Sequence, residues 1–196
     1  MSSPLTSWQL EFGGTLVETR MDNAWQREAE HITAAIAQSN KEAPAMVALT
    51  QTEPLPLDQV LIMDSIEGWK PYLSGSQRKD GWNTLTGVAA APSHILYSAR
   101  YALPNGESHV DVEISQYPNS DWARYELRNT PMPNELFKQS KQIQLVNEFG
   151  SKVYEEAMYR YWSSGDKLVF LDCSRILPAD IKKILKAYLS KYPSSI

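Results

Sequence analysis

The sequence has little of what catalytic and metal-binding sites are usually made of. Its 196 residues include three histidines and one cysteine. A single cysteine excludes an internal disulfide. No cysteines or histidines stand at the C-x-x-C or H-x-x-x-H spacing that zinc sites use. A phosphate-binding loop of the form G-x-x-x-x-G-K-S/T is also missing. We therefore expect no metal site and no cofactor.

An excess of positive charge and long apolar runs are missing too. The formal net charge is −4, which disfavours a nucleic-acid-binding surface because neutralising phosphates needs a positive field. No apolar run reaches the roughly 18 residues of a membrane-spanning helix. A hydrophobic content of 42% with 21% charged residues is that of an ordinary globular domain. We expect a folded protein that binds no nucleic acid and has no transmembrane segment.

One β-hairpin can be assigned from the sequence alone, in residues 94–115 (HILYSARYALPNGESHVDVEIS). Its Asn105-Gly106 dipeptide favours a type I′ turn, because both residues tolerate positive φ. A turn there gives an apolar face, with Tyr101 opposite Val110, Ala99 opposite Val112 and Tyr97 opposite Ile114. The polar face then pairs Arg100 with Asp111 and Ser98 with Glu113. A slip of one residue would mix the two sets, so the pattern selects this register.

The polar face of this hairpin carries two of the three histidines, His94 and His109. They are about 26 Å apart at about 3.3 Å per strand residue, so they cannot share a metal. With His31 on a predicted helix, we interpret all three as unrelated surface or boundary residues. Asp111 and Glu113 face basic or polar partners, as on a solvated sheet face, and lack the two environments that separate an acid from a base. We predict no catalytic residues here.

A second hairpin is predicted in residues 153–173 (VYEEAMYRYWSSGDKLVFLDC). A loop of Ser164-Gly165, or of all four residues 163–166, pairs Tyr161 with Leu168 and Tyr159 with Phe170. The first strand alternates in polarity, whereas the second is apolar on both faces over four residues. Such a strand is typical of the interior of a sheet that is covered above and below.

Three amphipathic helices complete the outline. The first begins after Asn23, where Gln26 three residues on gives a capping box. The second begins near residues 119–121. The third runs from about Pro178 to Lys191, with proline suited to the first helical position. Its apolar stripe has helical spacing and consists of Ile181, Ile184, Leu185, Tyr188, Leu189 and Tyr192.

Further strands are predicted at residues 142–154 (QIQLVNEFGSKVY), with a break at its glycine, and at residues 8–19 (WQLEFGGTLVET), as a hairpin about Gly-Gly. Hairpins instead of helical crossovers indicate an α+β fold. We expect an antiparallel β-sheet built from hairpins and packed against N-terminal, middle and C-terminal amphipathic helices. We predict one domain over 1–196, with 1–52 as a candidate N-terminal appendage and 58–196 as the sheet-helix core.

The single cysteine, Cys173, ends the apolar run LVFLDCS. A catalytic thiol needs a lowered pKa and a base within reach. The G-x-nucleophile-x-G elbow is not present, because Leu171 and Arg175 stand where its glycines belong. Free cysteine is among the most buried residue types, so we interpret Cys173 as part of the core. The alternative is a small cysteine-dependent enzyme that uses Cys173 with Asp172.

Residues 64–93 hold two tryptophans, a tyrosine and four glycines without a sustained period. Long irregular segments inside a domain are usually functional or disordered. Trp69, Tyr72 and Trp82 are residue types favoured at contact surfaces. They either fold back as a lid over the sheet or line a binding surface, and we take them as the candidate ligand or partner surface.

The tail, residues 159–192 (YRYWSSGDKLVFLDCSRILPADIKKILKAYLSKY), resembles the end of PsbP-like α/β sandwich domains. There, too, an aromatic strand, a glycine hairpin and an apolar strand precede a closing amphipathic helix. The resemblance implies a non-enzymatic protein that binds a partner or ligand, often outside the cytoplasm, and assigns no functional residues. We therefore expect a non-enzymatic binding or accessory domain for a protein partner or small ligand. An extracytoplasmic location, as the soluble part of a larger protein, is favoured over a cytoplasmic one.

Overall fold

The computed structural model of this protein describes residues 43–51, 53–80, 92–103, 108–129, 144–156 and 158–196, together with Glu30. Its strands are β1 (Lys70–Lys79), β2 (His94–Ala102), β3 (His109–Gln116), β4 (Gln144–Glu148), β5 (Ser151–Glu156), β6 (Tyr159–Ser164) and β7 (Lys167–Arg175). Its helices are α1 (Leu57–Val60), α2 (Ser120–Asn129) and α3 (Pro178–Lys191). The α+β class with an antiparallel sheet is therefore confirmed.

The seven strands form one antiparallel sheet in the order β1-β2-β3-β7-β6-β5-β4. The chain builds it as two meanders, β1 to β3 and β4 to β7, and helix α2 lies in the connection between them. The meanders meet where β3 pairs with β7, a pairing between segments nearly 60 residues apart. This central seam brings together side chains that no local pattern connects.

The register of the β2–β3 hairpin is the predicted one, with Arg100 opposite Asp111 and Tyr97 opposite Ile114. The predicted register of the β6–β7 hairpin is wrong by two residues, because Tyr161 pairs with Phe170. Its loop consists of Gly165 and Asp166 alone, and φ of +56° at Gly165 suits the first position of a type II′ turn. A shift of two residues keeps every side chain on the expected face.

The β4–β5 hairpin turns at Phe149 and Gly150, both at positive φ (+53° and +80°) as a type I′ turn requires. The predicted break at this glycine is thus the turn between two strands. The hairpin predicted in residues 8–19 lies outside the described residues.

Helix α3 covers one face of the sheet. Its predicted apolar stripe is buried against strand residues that include Tyr97, Val112 and Leu171. Burying such a side chain contributes about 1.5–3 kcal/mol. Trp162 joins the two layers directly, because its Nε1–H donates to the carbonyl of Tyr192 at 2.7 Å. This face is the main core of the protein.

Helix α2 covers part of the opposite face. Asn119 caps it, since its Oδ1 accepts from the backbone N–H groups of Asp121 (3.1 Å) and Trp122 (3.0 Å), a contact typically worth about 1 kcal/mol. Leu127 packs with Tyr161 of β6. The packing of three amphipathic helices is not confirmed: the N-terminal one falls outside the described residues except for Glu30, which is helical.

The prediction of an irregular segment is wrong for residues 70–79, which form the ten-residue strand β1. This strand ends the sheet, so most of its side chains are exposed and no apolar alternation marks it. Pro71, Gly75 and the cations at its ends are devices by which natural sheets protect an edge.

Tyrosine hydroxyls hold the segment 55–62 against the main core. Tyr97 accepts from the backbone N–H of Leu55 at 2.9 Å, and Tyr192 donates to the carbonyl of Val60 at 2.6 Å. This segment is thus bonded to both the sheet and α3. Within the described part of the chain, no helix has the length and apolarity needed to cross a membrane.

Candidate functional site

The face of the sheet opposite α3 carries a continuous row of side chains on five neighbouring strands. The strand registers place Leu73, Arg100, Asp111, Asp172 and Tyr159 side by side on β1, β2, β3, β7 and β6. Leu73 is exposed and the other four are partly exposed. The row crosses the seam between the two meanders, so both halves of the chain contribute to it.

An ion pair occupies the middle of this row. Arg100 donates to both carboxylate oxygens of Asp111, from Nε at 2.5 Å and from Nη2 at 2.7 Å. The hydrogen bonds to Asp111 raise the pKa of Arg100 above its ordinary value, and a hydrogen bond to the Tyr72 hydroxyl raises it further. With side chains 36% and 32% exposed, the pair adds at most about 1 kcal/mol to stability. Its main effect is to hold two polar groups in fixed positions.

Two β-bulges flank the ion pair. In β1, Pro71 pairs with Tyr101 and Leu73 with Arg100, so Tyr72 is an extra residue that has no cross-strand partner in β2. Between β3 and β7, His109 pairs with Arg175 and Asp111 with Asp172, so one residue of β3 faces two of β7. Bulges change the direction of side chains and are frequent beside functional sites. Here they lie on both sides of one ion pair.

An open depression of about 360 Å³ lies at this place. We call it the polar depression, and it is lined by Arg100, His109, Asp111, Asp172, Ser174 and Arg175. Within it, Asp172 Oδ1 accepts from the backbone N–H of Ser174 at 2.9 Å. Every lining side chain is polar, and the lining includes both arginines, which donate hydrogen bonds, and aspartates, which accept them. Such a lining suits recognition of a polar ligand.

Glu113 lies two residues from Asp111 on the same face, between Ser98 of β2 and Phe170 of β7. Although Glu113 is exposed, neighbouring groups remove part of its hydration and so raise its pKa. The negative charges of Asp111 and Asp172 raise it further, while Lys79 acts in the opposite direction. The predicted partners of both carboxylates are confirmed, because Arg100 lies opposite Asp111 and Ser98 lies opposite Glu113. Asp111 is paired with an arginine, whereas Glu113 lies beside other carboxylates and an aromatic ring.

Aromatic rings continue the row beyond the depression. Phe170 stacks on Tyr159 with centroids 5.4 Å apart, and Tyr161 stacks on Tyr154 at the same distance. Since Phe170 is directly opposite Glu113 and Tyr159 is opposite Asp172, acidic groups border the aromatic group. Carboxylates next to aromatic faces are what a cationic ligand group binds.

Cys173 lies on the other side of the sheet, in the main core, and is fully buried. Burial raises the pKa of its thiol to about 12, and Asp172 raises it as well, while Arg160 acts in the opposite direction. A nucleophilic cysteine needs a lowered pKa and access to substrate. The predicted structural role of Cys173 is thus confirmed by its burial.

The two described candidate surface residues lie in different environments. Trp69 is fully buried in the main core, and the interpretation of it as a contact residue is corrected. Tyr72 is 59% exposed at the edge of the polar depression. Trp82 lies outside the described residues. Sequence analysis missed His109, Asp172 and Arg175 as neighbours, because only the long-range pairing of β3 with β7 joins them.

The two described histidines differ in environment. His94 is buried and stacks on Tyr117 at 4.9 Å, so its interpretation as a surface or boundary residue is wrong. Burial lowers its pKa, opposed by a contact with the Pro92 carbonyl. His109 lines the polar depression, and His31 lies outside the described residues. Among the residues described, no group of three or more His, Cys, Asp or Glu side chains could hold a metal ion.

Comparisons with known proteins add no family assignment. No protein-family model, curated protein or solved structure matches this chain. A function has to be inferred from the polar depression and the surface around it.

Proposed function

We propose that this protein is a non-catalytic domain that binds a small ligand or a partner on the open face of its sheet, with the polar depression as the contact site. The observation that carries the proposal is the depression itself: six polar side chains from three strands surround one open volume between two β-bulges. Sites on strands are held more rigidly than sites on loops. A binding role of this kind, and an extracytoplasmic location, are also what the resemblance to PsbP-like domains implies.

Binding is favoured over catalysis by the exposure and pairing of the groups. The depression is open, so water has free access to any ligand, whereas active sites gain much of their electrostatic effect by excluding water. Arg100 and Asp111 are already engaged with each other. No observation favours the alternative of a cysteine-dependent enzyme, because Cys173 faces the covered side.

A fragment screen by ¹H–¹⁵N NMR tests the proposal. We expect amide shifts from polar fragments to cluster at the adjacent ends of β2, β3 and β7, around Arg100, Asp111 and Arg175. The variant Arg175→Ala should weaken those shifts, and Arg124→Ala, on the exposed side of α2, should leave them unchanged. Shifts that cluster elsewhere, or no binding at all, would contradict the proposal.

A further inference from the structure

Some of the charged side chains around the polar depression form an ion pair and others do not. Arg100 and Asp111 form a closed pair, but Asp172, Glu113 and Arg175 form no ion pair within the described part of the chain. The unpaired groups are segregated: Arg175 and its cross-strand partner His109 lie at the end of the seam, and the two carboxylates lie further inside.

The spacing of these groups can be estimated from the strands. Arg175 is three residues from Asp172, and His109 is four residues from Glu113. At about 3.3 Å per residue these backbone positions are about 10–13 Å apart, a separation that the two ends of an extended small molecule can span. Cationic donors and acidic acceptors are therefore both within reach of one small molecule.

The acidic end is also the aromatic end. Phe170 lies directly opposite Glu113, and Tyr159 lies directly opposite Asp172. An ammonium group placed there gains contacts with the two carboxylates and also attraction to the faces of the neighbouring aromatic rings. A simple anion would meet repulsion from Asp172 and Glu113, and a simple cation would leave Arg175 unpaired.

We infer that the polar depression binds a small zwitterion whose carboxylate contacts Arg175 and His109 and whose ammonium group contacts Asp172 and Glu113. This inference rests on the proposed function and names its ligand class. The spacing favours an ω-amino acid, or a short peptide with free ends, over an α-amino acid, whose two charges are too close together to reach both ends.

Calorimetric titration with a homologous series provides the test. The probes are glycine, 4-aminobutyrate and 6-aminohexanoate, with hexanoate and hexylammonium as ligands of a single charge. We expect the longer amino acids to bind at least tenfold more tightly than glycine and than either singly charged probe. Binding should weaken at high salt, because exposed charges are screened.

Matched variants assign the two ends. Arg175→Gln should abolish the higher affinity for 6-aminohexanoate than for hexylammonium. Asp172→Asn should abolish the higher affinity for 6-aminohexanoate than for hexanoate. Arg124→Gln is the control, and thermal melts verify that all three variants fold. Equal binding of singly charged probes and zwitterions, or variants without effect, would overturn the inference. Polar fragments that shift the depression amides without zwitterion preference would overturn it while leaving the proposed function standing, and no binding at all would contradict both.

Discussion

Two buried tyrosines and one backbone unit form a closed hydrogen-bond ring. The Tyr101 hydroxyl donates to the carbonyl of Ile62 at 2.7 Å, and the Ile62 N–H donates to the Tyr188 oxygen at 3.2 Å. The two hydroxyls are also bonded to each other. The Tyr101 hydroxyl has a single hydrogen, which it donates to the carbonyl of Ile62. The Tyr188 hydroxyl is therefore the donor in the hydrogen bond between the two tyrosines. The ring ties strand β2 and helix α3 to the segment before β1.

We predict that Tyr188→Phe lowers the free energy of unfolding by about 2–3 kcal/mol. The change leaves the Ile62 N–H without its acceptor, which costs about 1–3 kcal/mol for a buried group, and removes the bond to Tyr101, worth about 1 kcal/mol. Tyr101→Phe should cost a similar amount, because the Ile62 carbonyl then loses its donor. The Tyr101–Tyr188 bond is removed by either change, so the double variant should cost about 1 kcal/mol less than the sum.

Urea unfolding followed by tryptophan fluorescence measures these differences. The midpoint should move without a change in the m-value, since the surface exposed on unfolding is the same. Tyr72→Phe is the control, because Tyr72 is exposed and its loss should stay within about 0.5 kcal/mol. A double variant that is additive within about 0.3 kcal/mol, or a Tyr188→Phe effect as small as that of the control, would refute the ring.

Three further predictions concern the two faces of the sheet. Glu113 has a raised pKa in the folded state, so it destabilises the fold above that pKa and the penalty disappears as the pH falls below the ordinary value of 4.5. Glu113→Gln should therefore raise the free energy of unfolding, measured by urea, by about 0.5 kcal/mol at pH 7, the size expected for like charges on neighbouring positions, and leave it unchanged at pH 4. An equal change at both pH values would contradict this. Trp69→Ala should cost about 3–5 kcal/mol, because the side chain is fully buried, whereas Tyr72→Ala should cost under about 1 kcal/mol in the same unfolding experiment; equal losses would be inconsistent with the different burial of the two side chains. Cys173 should react with a thiol reagent at pH 8 only in denaturant, since burial raises its pKa to about 12, and rapid labelling of the native protein would revive the cysteine-enzyme alternative.

Elements with a strong local signal were predictable from the sequence. The β2–β3 register follows from Asn105-Gly106 and from alternation on both strands, and the structure has the same pairs. The C-terminal helix follows from six apolar residues at helical spacing, all of them buried. The predicted register of the β6–β7 hairpin differs from the observed one by two residues. Because β7 is apolar on both faces over four residues, only the turn fixes this register.

The candidate site could not be assembled from the sequence. Its parts come from β3 and β7, whose pairing depends on how two meanders meet and leaves no local pattern. The aperiodic segment around Trp69 does not decide between a lid over the sheet and a contact surface, and the structure shows a fully buried Trp69 directly before the edge strand β1. Composition identifies residues suited to contacts, whereas burial is decided by the tertiary packing.

Several departures from local rules lie at the polar depression. Both bulges interrupt otherwise regular pairing beside Arg100 and Asp111, and Glu113 is kept next to two other carboxylates although this opposes folding. Natural sequences tend to violate such rules at functional sites and compensate elsewhere. Compensation is visible here, because the opposite face of the same strands is a continuous apolar core under α3. The stability of that face allows the other to hold Asp172, Glu113 and Arg175, which form no ion pair within the part of the chain described.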